Sequence, residues 1–252
     1  MIKLITVSPP AVVGVRSAIA AAVIALFIRR WHFSLSFSQL GGAVAITAAQ
    51  FFFVLATRQT TAANAVFIQF TAPVYVAFFG WWYLKERARP VDWASTAVVI
   101  AGLLLFFQGE LDRTSLWGNV NALVSGIALA WFFLFMRKQK GDAAIHTVFL
   151  GNVLAALCFL PFIFFAAPTP GDWAALLFLG VLQMGLPFVL LSISLKQLRA
   201  LEAILIQTVE PVLNPLRVVL ILGERPSGWA LVGGLLVLSA VGFRALALRP
   251  SA

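Results

Sequence analysis

The chain has 252 residues, of which 62% are apolar and only 11% are charged. This composition excludes a disordered chain and an ordinary soluble domain, because soluble domains have about half apolar and about a quarter charged residues. A net charge of +9 would suggest a nucleic-acid partner in a soluble protein. In a membrane protein, however, basic residues gather in cytoplasmic loops, so no nucleic acid is expected.

Nine apolar stretches follow one another along the chain, and each is long enough to cross a lipid bilayer as a helix. They lack the period-two alternation of barrel strands, and a helix satisfies its own backbone hydrogen bonds where water is absent. The sequence therefore predicts an all-α membrane protein with nine transmembrane helices, at about residues 9–28, 38–56, 62–84, 91–108, 117–136, 146–167, 173–194, 200–222 and 227–248.

Basic residues in the loops and tails are distributed unevenly between the two sides of this predicted bundle. Twelve of the sixteen fall in the loops after the first, third, fifth and seventh helices and in the C-terminal tail. Because basic loops stay in the cytoplasm, the sequence predicts a multi-pass protein whose C-terminus is cytoplasmic.

The sequence matches itself at an offset of 138 residues. Residues 62–69 align with 200–207, and the register continues through Pro73 against Pro211. Between the matched helices the chain crosses the membrane five times, an odd number, so the two halves are predicted to be inverted relative to each other. Inverted repeats are typical of secondary transporters, whose halves exchange conformations around one fixed site. We expect the first repeat at 1–110 and the second at 111–252.

The helix at 117–136 has no partner in the first repeat. A fold of ten helices in two sets of five would explain this, if the first helix of the first set is absent from this chain. We therefore expect the DNA upstream of the Met1 codon to encode about thirty further in-frame residues, enough for one more membrane helix.

Two prolines are predicted to be hinges. Pro73 and Pro211 lie near the middle of matched helices, and each frees the carbonyl group four residues earlier, on Gln69 and Gln207. A kink with a free carbonyl beside an amide side chain suits a binding site at the bilayer midplane, and the alternative is a kink that serves packing alone.

Ionisable residues inside apolar stretches are costly unless they are paired or face a wet cavity. Arg16, Glu202, Glu210 and Arg217 are of this kind, and Glu210, Asn214 and Arg217 lie on one helix face. Glu202 is expected to reach the cytoplasmic interface. Two interpretations of Glu210 and Arg217 remain: they form a structural ion pair, or they line the transport pathway. When no substrate is bound, we expect Arg16 or Arg217 to interact with Glu210.

Other polar and aromatic residues complete the predicted substrate site. Asn64 and Tyr75 share a helix with Gln69, whereas Trp131 is the one tryptophan that does not lie near a helix end. The candidate substrate-binding residues are Arg16, Asn64, Gln69, Tyr75, Trp131, Gln207, Glu210, Asn214 and Arg217. The sequence has no enzyme motif, metal-ligand pattern or cofactor-binding loop, so neither catalysis nor a cofactor or metal is expected.

Three groups of residues carry a resemblance to a known family. They are Ser8-Pro9-Pro10 with Arg16, Ala63-Asn64-Ala65 through Pro73 to Glu86-Arg87, and Glu202-Ala203 through Pro211 to Gly223-Glu224-Arg225. In these residues the chain resembles the EamA-type exporters of the drug/metabolite transporter superfamily. The resemblance implies ten helices in inverted five-helix repeats, both termini inside and a central cavity.

The resemblance implies a secondary transporter of the bacterial inner membrane that exports small metabolites such as amino acids by alternating access. Two alternatives stay open: a drug or toxic-cation exporter of the same fold, and a non-transporting membrane partner protein. Arg16 and Arg217 favour a substrate with a carboxylate, and a proton taken up by Glu210 is the candidate coupling ion.

Overall fold

The computed structural model describes residues 5–31, 33–108, 115–139, 143–165, 168–194, 198–210 and 228–247. Every regular element in these ranges is helical. The helices are α1 (Pro9–Phe27), α2 (Phe37–Gln59), α3 (Ala62–Gln69), α4 (Ala72–Tyr83), α5 (Pro90–Phe106), α6 (Leu116–Lys138), α7 (Ala143–Phe159), α8 (Pro170–Phe178), α9 (Leu186–Ser194), α10 (Ala200–Gln207) and α11 (Gly228–Ala247). A 3₁₀ segment, Leu160–Phe165, follows α7, and a π-helical segment, Leu179–Gly185, joins α8 to α9.

The prediction of an all-α membrane protein is confirmed. Within the described ranges, seven helical segments are long and apolar enough to cross a membrane, and α5 is a shorter apolar helix. The predicted helix at 200–222 is described only as far as Glu210, where it includes α10. The ten-helix inverted repeat stays a prediction.

Tryptophans mark the ends of the helices as expected. Seven of the eight are at least two-fifths exposed, whereas Trp131 is half-buried. Amphipathic rings of this kind favour the boundary between lipid tails and water. The seven exposed tryptophans are Trp31, Trp81, Trp82, Trp93, Trp117, Trp173 and Trp229.

Small residues let the helices approach one another closely. The pairs that pack most extensively are α2 with α6, α5 with α11 and α1 with α7. A Cβ atom added to Gly102 on α5 would lie only 2.9 Å from the carbonyl oxygen of Gly233 on α11, so the two backbones touch. Close backbone contact through small residues is how membrane helices gain packing energy without a hydrophobic driving force.

The predicted helix at 62–84 is broken, and the break precedes the predicted kink. It falls at Phe70 and Thr71, between α3 and α4, whereas Pro73 lies buried in the first turn of α4. Pro73 has no N–H group to donate to the Gln69 carbonyl, and its ring would clash with that carbonyl in a continuous helix. The Thr71 hydroxyl donates to a different carbonyl oxygen, that of Ile68, at 2.7 Å, and this bond stabilises the turn.

The predicted helix at 173–194 is also irregular. The N–H of Leu186 donates to the carbonyl oxygen of Val181, five residues earlier, which is the π-helical pattern. The next residue, Pro187, cannot donate to the carbonyl of Gln183. The wider turn therefore accommodates a proline in the middle of a membrane span.

Candidate functional site

A buried arginine lies inside the membrane-spanning part of the protein. Arg16 is the eighth residue of α1, about 11 Å along the helix at 1.5 Å per residue, and it is 4% exposed. Its buried Nε has no hydrogen-bond partner. No ion pair of its guanidinium occurs within the part of the chain that the structure describes, so the predicted pair with Glu210 is not seen there.

The backbone that carries Arg16 is held tightly. A Cβ atom added to Gly180, in the π-helical segment, would lie 3.0 Å from the carbonyl oxygen of Arg16 and 2.6 Å from the Cβ of Ile19. The two backbones therefore cross in direct contact. A side chain at position 180 would therefore collide with the part of α1 that carries Arg16.

A chain of buried polar side chains begins at the next residue. The Ser17 hydroxyl donates to Oε1 of Gln50 at 2.9 Å, and Nε2 of Gln50 donates to Oδ1 of Asn152 at 3.5 Å. Asn152 in turn donates to the carbonyl oxygen of Val148 at 2.9 Å. This chain of hydrogen bonds joins α1, α2 and α7 inside the bundle.

Gln69 connects three helices. Its Nε2 donates to the hydroxyl of Ser125 at 2.7 Å, and that hydroxyl donates to the carbonyl oxygen of Ala49 at 2.7 Å. The predicted free carbonyl of Gln69 faces α6, because a Cβ atom on Gly126 would lie 3.0 Å from it. The side chain of Gln69 is therefore committed to helix contacts in this conformation.

The other candidates in the first half of the chain lie on three different helices. Asn64, at the start of α3, donates to Oδ1 of Asn119 at 2.8 Å. Tyr75 is half-buried on α4, and its hydroxyl lies 3.5 Å from that of Thr71. Trp131 belongs to an aromatic cluster and stacks on Phe79, with ring centroids 5.2 Å apart. The structure thus distributes these residues over α3, α4 and α6.

The second predicted hinge region has the same local features as the first. α10 ends at Gln207, 138 residues after the end of α3, and a turn follows at Thr208 and Val209. Oε1 of Gln207 is buried without a hydrogen-bond partner, and Glu210 is exposed. The remaining candidates, Pro211, Asn214 and Arg217, lie outside the described residues.

The sequence interpretation missed one buried ion-pair cluster. Arg244, near the end of α11, lies 2.7 Å from Oδ1 of Asp92 and 3.5 Å from Oε1 of Glu202. Asp92 also accepts from the backbone N–H of Arg89, and Glu202 from that of Arg199, each at 2.8 Å. Both carboxylates therefore cap helix N-termini while they neutralise one arginine. The signal was available, because Asp92 and Arg244 both lie within predicted apolar stretches, 91–108 and 227–248.

Among the residues that the structure describes, no group of three or more His, Cys, Asp or Glu residues could hold a metal ion.

Known proteins identify the family. A model described as the EamA-like transporter family matches residues 1–108 and 116–244. The threonine/homoserine exporter RhtA of Salmonella typhimurium strain LT2 is 26% identical over 235 residues, which cover 88% of this chain and 77% of that protein. RhtA of Escherichia coli K12 is 26% identical over 231 residues, covering 86% and 75%.

More distant proteins agree with this assignment. An uncharacterised transporter of Archaeoglobus fulgidus is 26% identical over 190 residues, covering 75% of this chain and 69% of that protein. One crystal structure superimposes with a TM-score of 0.78 at 19% identity, covering 97% of this chain and 90% of that chain, which shows the shared fold. The resemblance found in the sequence is confirmed, and the chain belongs to the EamA-like transporter family.

Proposed function

We propose that this protein exports small metabolites such as amino acids across the bacterial inner membrane by alternating access. The observation that carries the proposal is the buried guanidinium of Arg16, which has an unpartnered Nε and no ion pair among the described residues. An unpaired charge inside a membrane protein costs several kcal/mol, and such residues mark substrate and ion pathways.

The chemistry of Arg16 suits a carboxylate. A guanidinium presents a planar fork that donates two parallel hydrogen bonds to the two oxygens of one carboxylate. An α-amino acid supplies that carboxylate. The proteins named threonine/homoserine exporters act on molecules of this kind, which supports the same substrate class here.

The rest of the substrate site is proposed to come from the helix at 200–222. Glu210, Asn214 and Arg217 share one face of that helix in the sequence register. When a substrate carboxylate replaces Glu210 as the partner of Arg217, Glu210 becomes free to take up a proton. This exchange would couple export to the proton gradient. We also propose that the C-terminus lies in the cytoplasm.

Alternating access requires two helices that can bend. α3 and α10 are both eight residues long, begin and end 138 positions apart and are each followed by a turn. Pro73 and Pro211 follow these turns in the sequence. This correspondence supports two inverted repeats, 1–110 and 111–252, in a ten-helix architecture, with one hinge in each repeat.

Transport by the purified protein in proteoliposomes tests the proposal. Vesicles loaded with threonine or homoserine should exchange it for labelled external substrate, and Arg16→Met should abolish the exchange. Ser17→Ala is the matched control, because it changes the neighbouring buried residue without removing a charge, and it should retain transport. Uptake of a quaternary ammonium dye without amino-acid exchange would instead favour a drug exporter. A folded protein that moves neither would favour a non-transporting membrane partner.

A further inference from the structure

A cavity of about 470 Å³ opens between the C-terminal end of α1, the start of α7 and the end of α9. Its polar lining is Arg29, Arg30, His146 and Ser192. None of the lining residues that the structure describes is acidic, so two positive charges face this space without a carboxylate among its walls. We call it the basic cavity.

The position of the two arginines is fixed by the segment that carries them. His146 Nε2 lies 2.8 Å from the carbonyl oxygen of Arg30, at hydrogen-bond distance. Trp31, the next residue, packs edge-on against Phe149 of α7, with ring centroids 5.2 Å apart. The backbone at the mouth of the basic cavity is therefore attached to α7, while the arginine side chains stay exposed.

Exposed residues around the basic cavity indicate where it lies relative to the lipid bilayer. Trp31 is 55% exposed beside the mouth, and exposed tryptophans of membrane proteins lie at the level of the lipid headgroups. Phe27 and Ile193 form apolar walls and are 49% and 56% exposed. Further from the mouth, Leu26 on α1 and Leu190 on α9 are exposed as well. The basic residues of the cavity therefore lie at the level of the lipid headgroups, and acyl chains can lie against the exposed apolar residues beside it.

We propose that the basic cavity binds the headgroup phosphate of an anionic phospholipid. Arg29 and Arg30 supply the guanidinium donors for the phosphate oxygens, and Ser192 lines the space that the glycerol part would occupy. The exposed apolar flank distinguishes a lipid from a free anion, because a free anion has no acyl chain to place against it. Basic pockets between membrane helices bind anionic headgroups in this way.

Native mass spectrometry of the full chain, released from detergent, measures this binding directly. Phosphatidylglycerol is titrated against phosphatidylcholine, which has the same acyl chains and no net charge. The test variant is R29Q/R30Q. The matched control is K85Q/R89Q, which removes two exposed charges from another loop on the predicted cytoplasmic side, away from the basic cavity.

The expected result is preferential binding of phosphatidylglycerol to the parent protein and to the control variant. Each basic side chain near an anionic surface is worth about a factor of five, so R29Q/R30Q should bind it about 25-fold more weakly. Equal affinity of the test and control variants would overturn the proposal. Competition by soluble glycerol phosphate at the same concentration as the lipid would also overturn it, because the site would then recognise a free anion.

Discussion

Arg16→Met separates a functional arginine from a structural one. Methionine has a similar length and no charge, and Arg16 donates to no carboxylate in the part of the chain that the structure describes. Replacing the charge therefore removes a desolvation cost without breaking an ion pair. We expect the variant to be more stable than the parent protein and unable to transport.

The size of the effect follows from the position of the residue. Arginine at the centre of a membrane helix costs about 2.5–3.5 kcal/mol on insertion scales, so the variant should gain about 3 kcal/mol in the free energy of unfolding. For a chain of this length, this corresponds to an increase of about 6–12 °C in Tm. Threonine at a hundred times its Kd should raise the stability of the parent protein by about 2.7 kcal/mol. The variant should not respond to threonine.

Thermal unfolding in detergent, followed by intrinsic tryptophan fluorescence with and without threonine, measures both effects. Ser17→Ala serves as the control and should respond to threonine as the parent protein does. A lower Tm for Arg16→Met would show that Arg16 is a structural residue with a partner in the folded protein. A normal threonine response in the variant would show that the substrate binds elsewhere.

Three further predictions concern the hinge, the ion-pair cluster and the topology. Pro73→Ala should restore the missing N–H donor and join α3 to α4, so that stability changes little while transport slows several-fold in proteoliposomes; an unchanged rate would make the proline a packing feature. Asp92→Asn should lower the free energy of unfolding by about 3 kcal/mol because it removes the nearer of the two carboxylates that pair with buried Arg244, and Asp92→Asn/Arg244→Met should recover most of that loss. A phosphatase that is active only after export, fused after Ala252, should stay inactive in cells, and activity would place the C-terminus outside.

The sequence predicted the helices well because the lipid bilayer imposes length and apolarity on every span. It predicted an irregularity near Pro73, but neither its exact position nor the π-helical segment at Leu179–Gly185. At the break at Phe70 and Thr71, Pro73 cannot donate to the Gln69 carbonyl, and the Thr71 hydroxyl donates to the carbonyl oxygen of Ile68. The π-helical turn at Leu179–Gly185 depends both on Pro187 and on the fit of Gly180 against α1. Predicting such irregularities therefore requires knowledge of the tertiary contacts as well as the position of the proline.

The candidate site was only partly predictable for the same reason. Polar residues in apolar helices are visible in the sequence, and Arg16, Asn64 and Gln69 were found in this way. Which of them is already satisfied depends on neighbours far along the chain. Gln69 donates to Ser125 and Asn64 to Asn119, each across more than fifty residues. The sequence alone could not show that these two amides are committed to helix packing.

The two buried arginines differ in how their charges are compensated. Arg16 and Arg244 are 4% and 5% exposed, so both have lost nearly all their hydration. Arg244 recovers that cost through Asp92 and Glu202, which come from two other helices and also cap them. Arg16 has no such compensation among the described residues, although its backbone packs directly against Gly180. Under the proposed function, the substrate carboxylate supplies the partner that Arg16 lacks among these residues, because binding then recovers a desolvation cost that folding has already met.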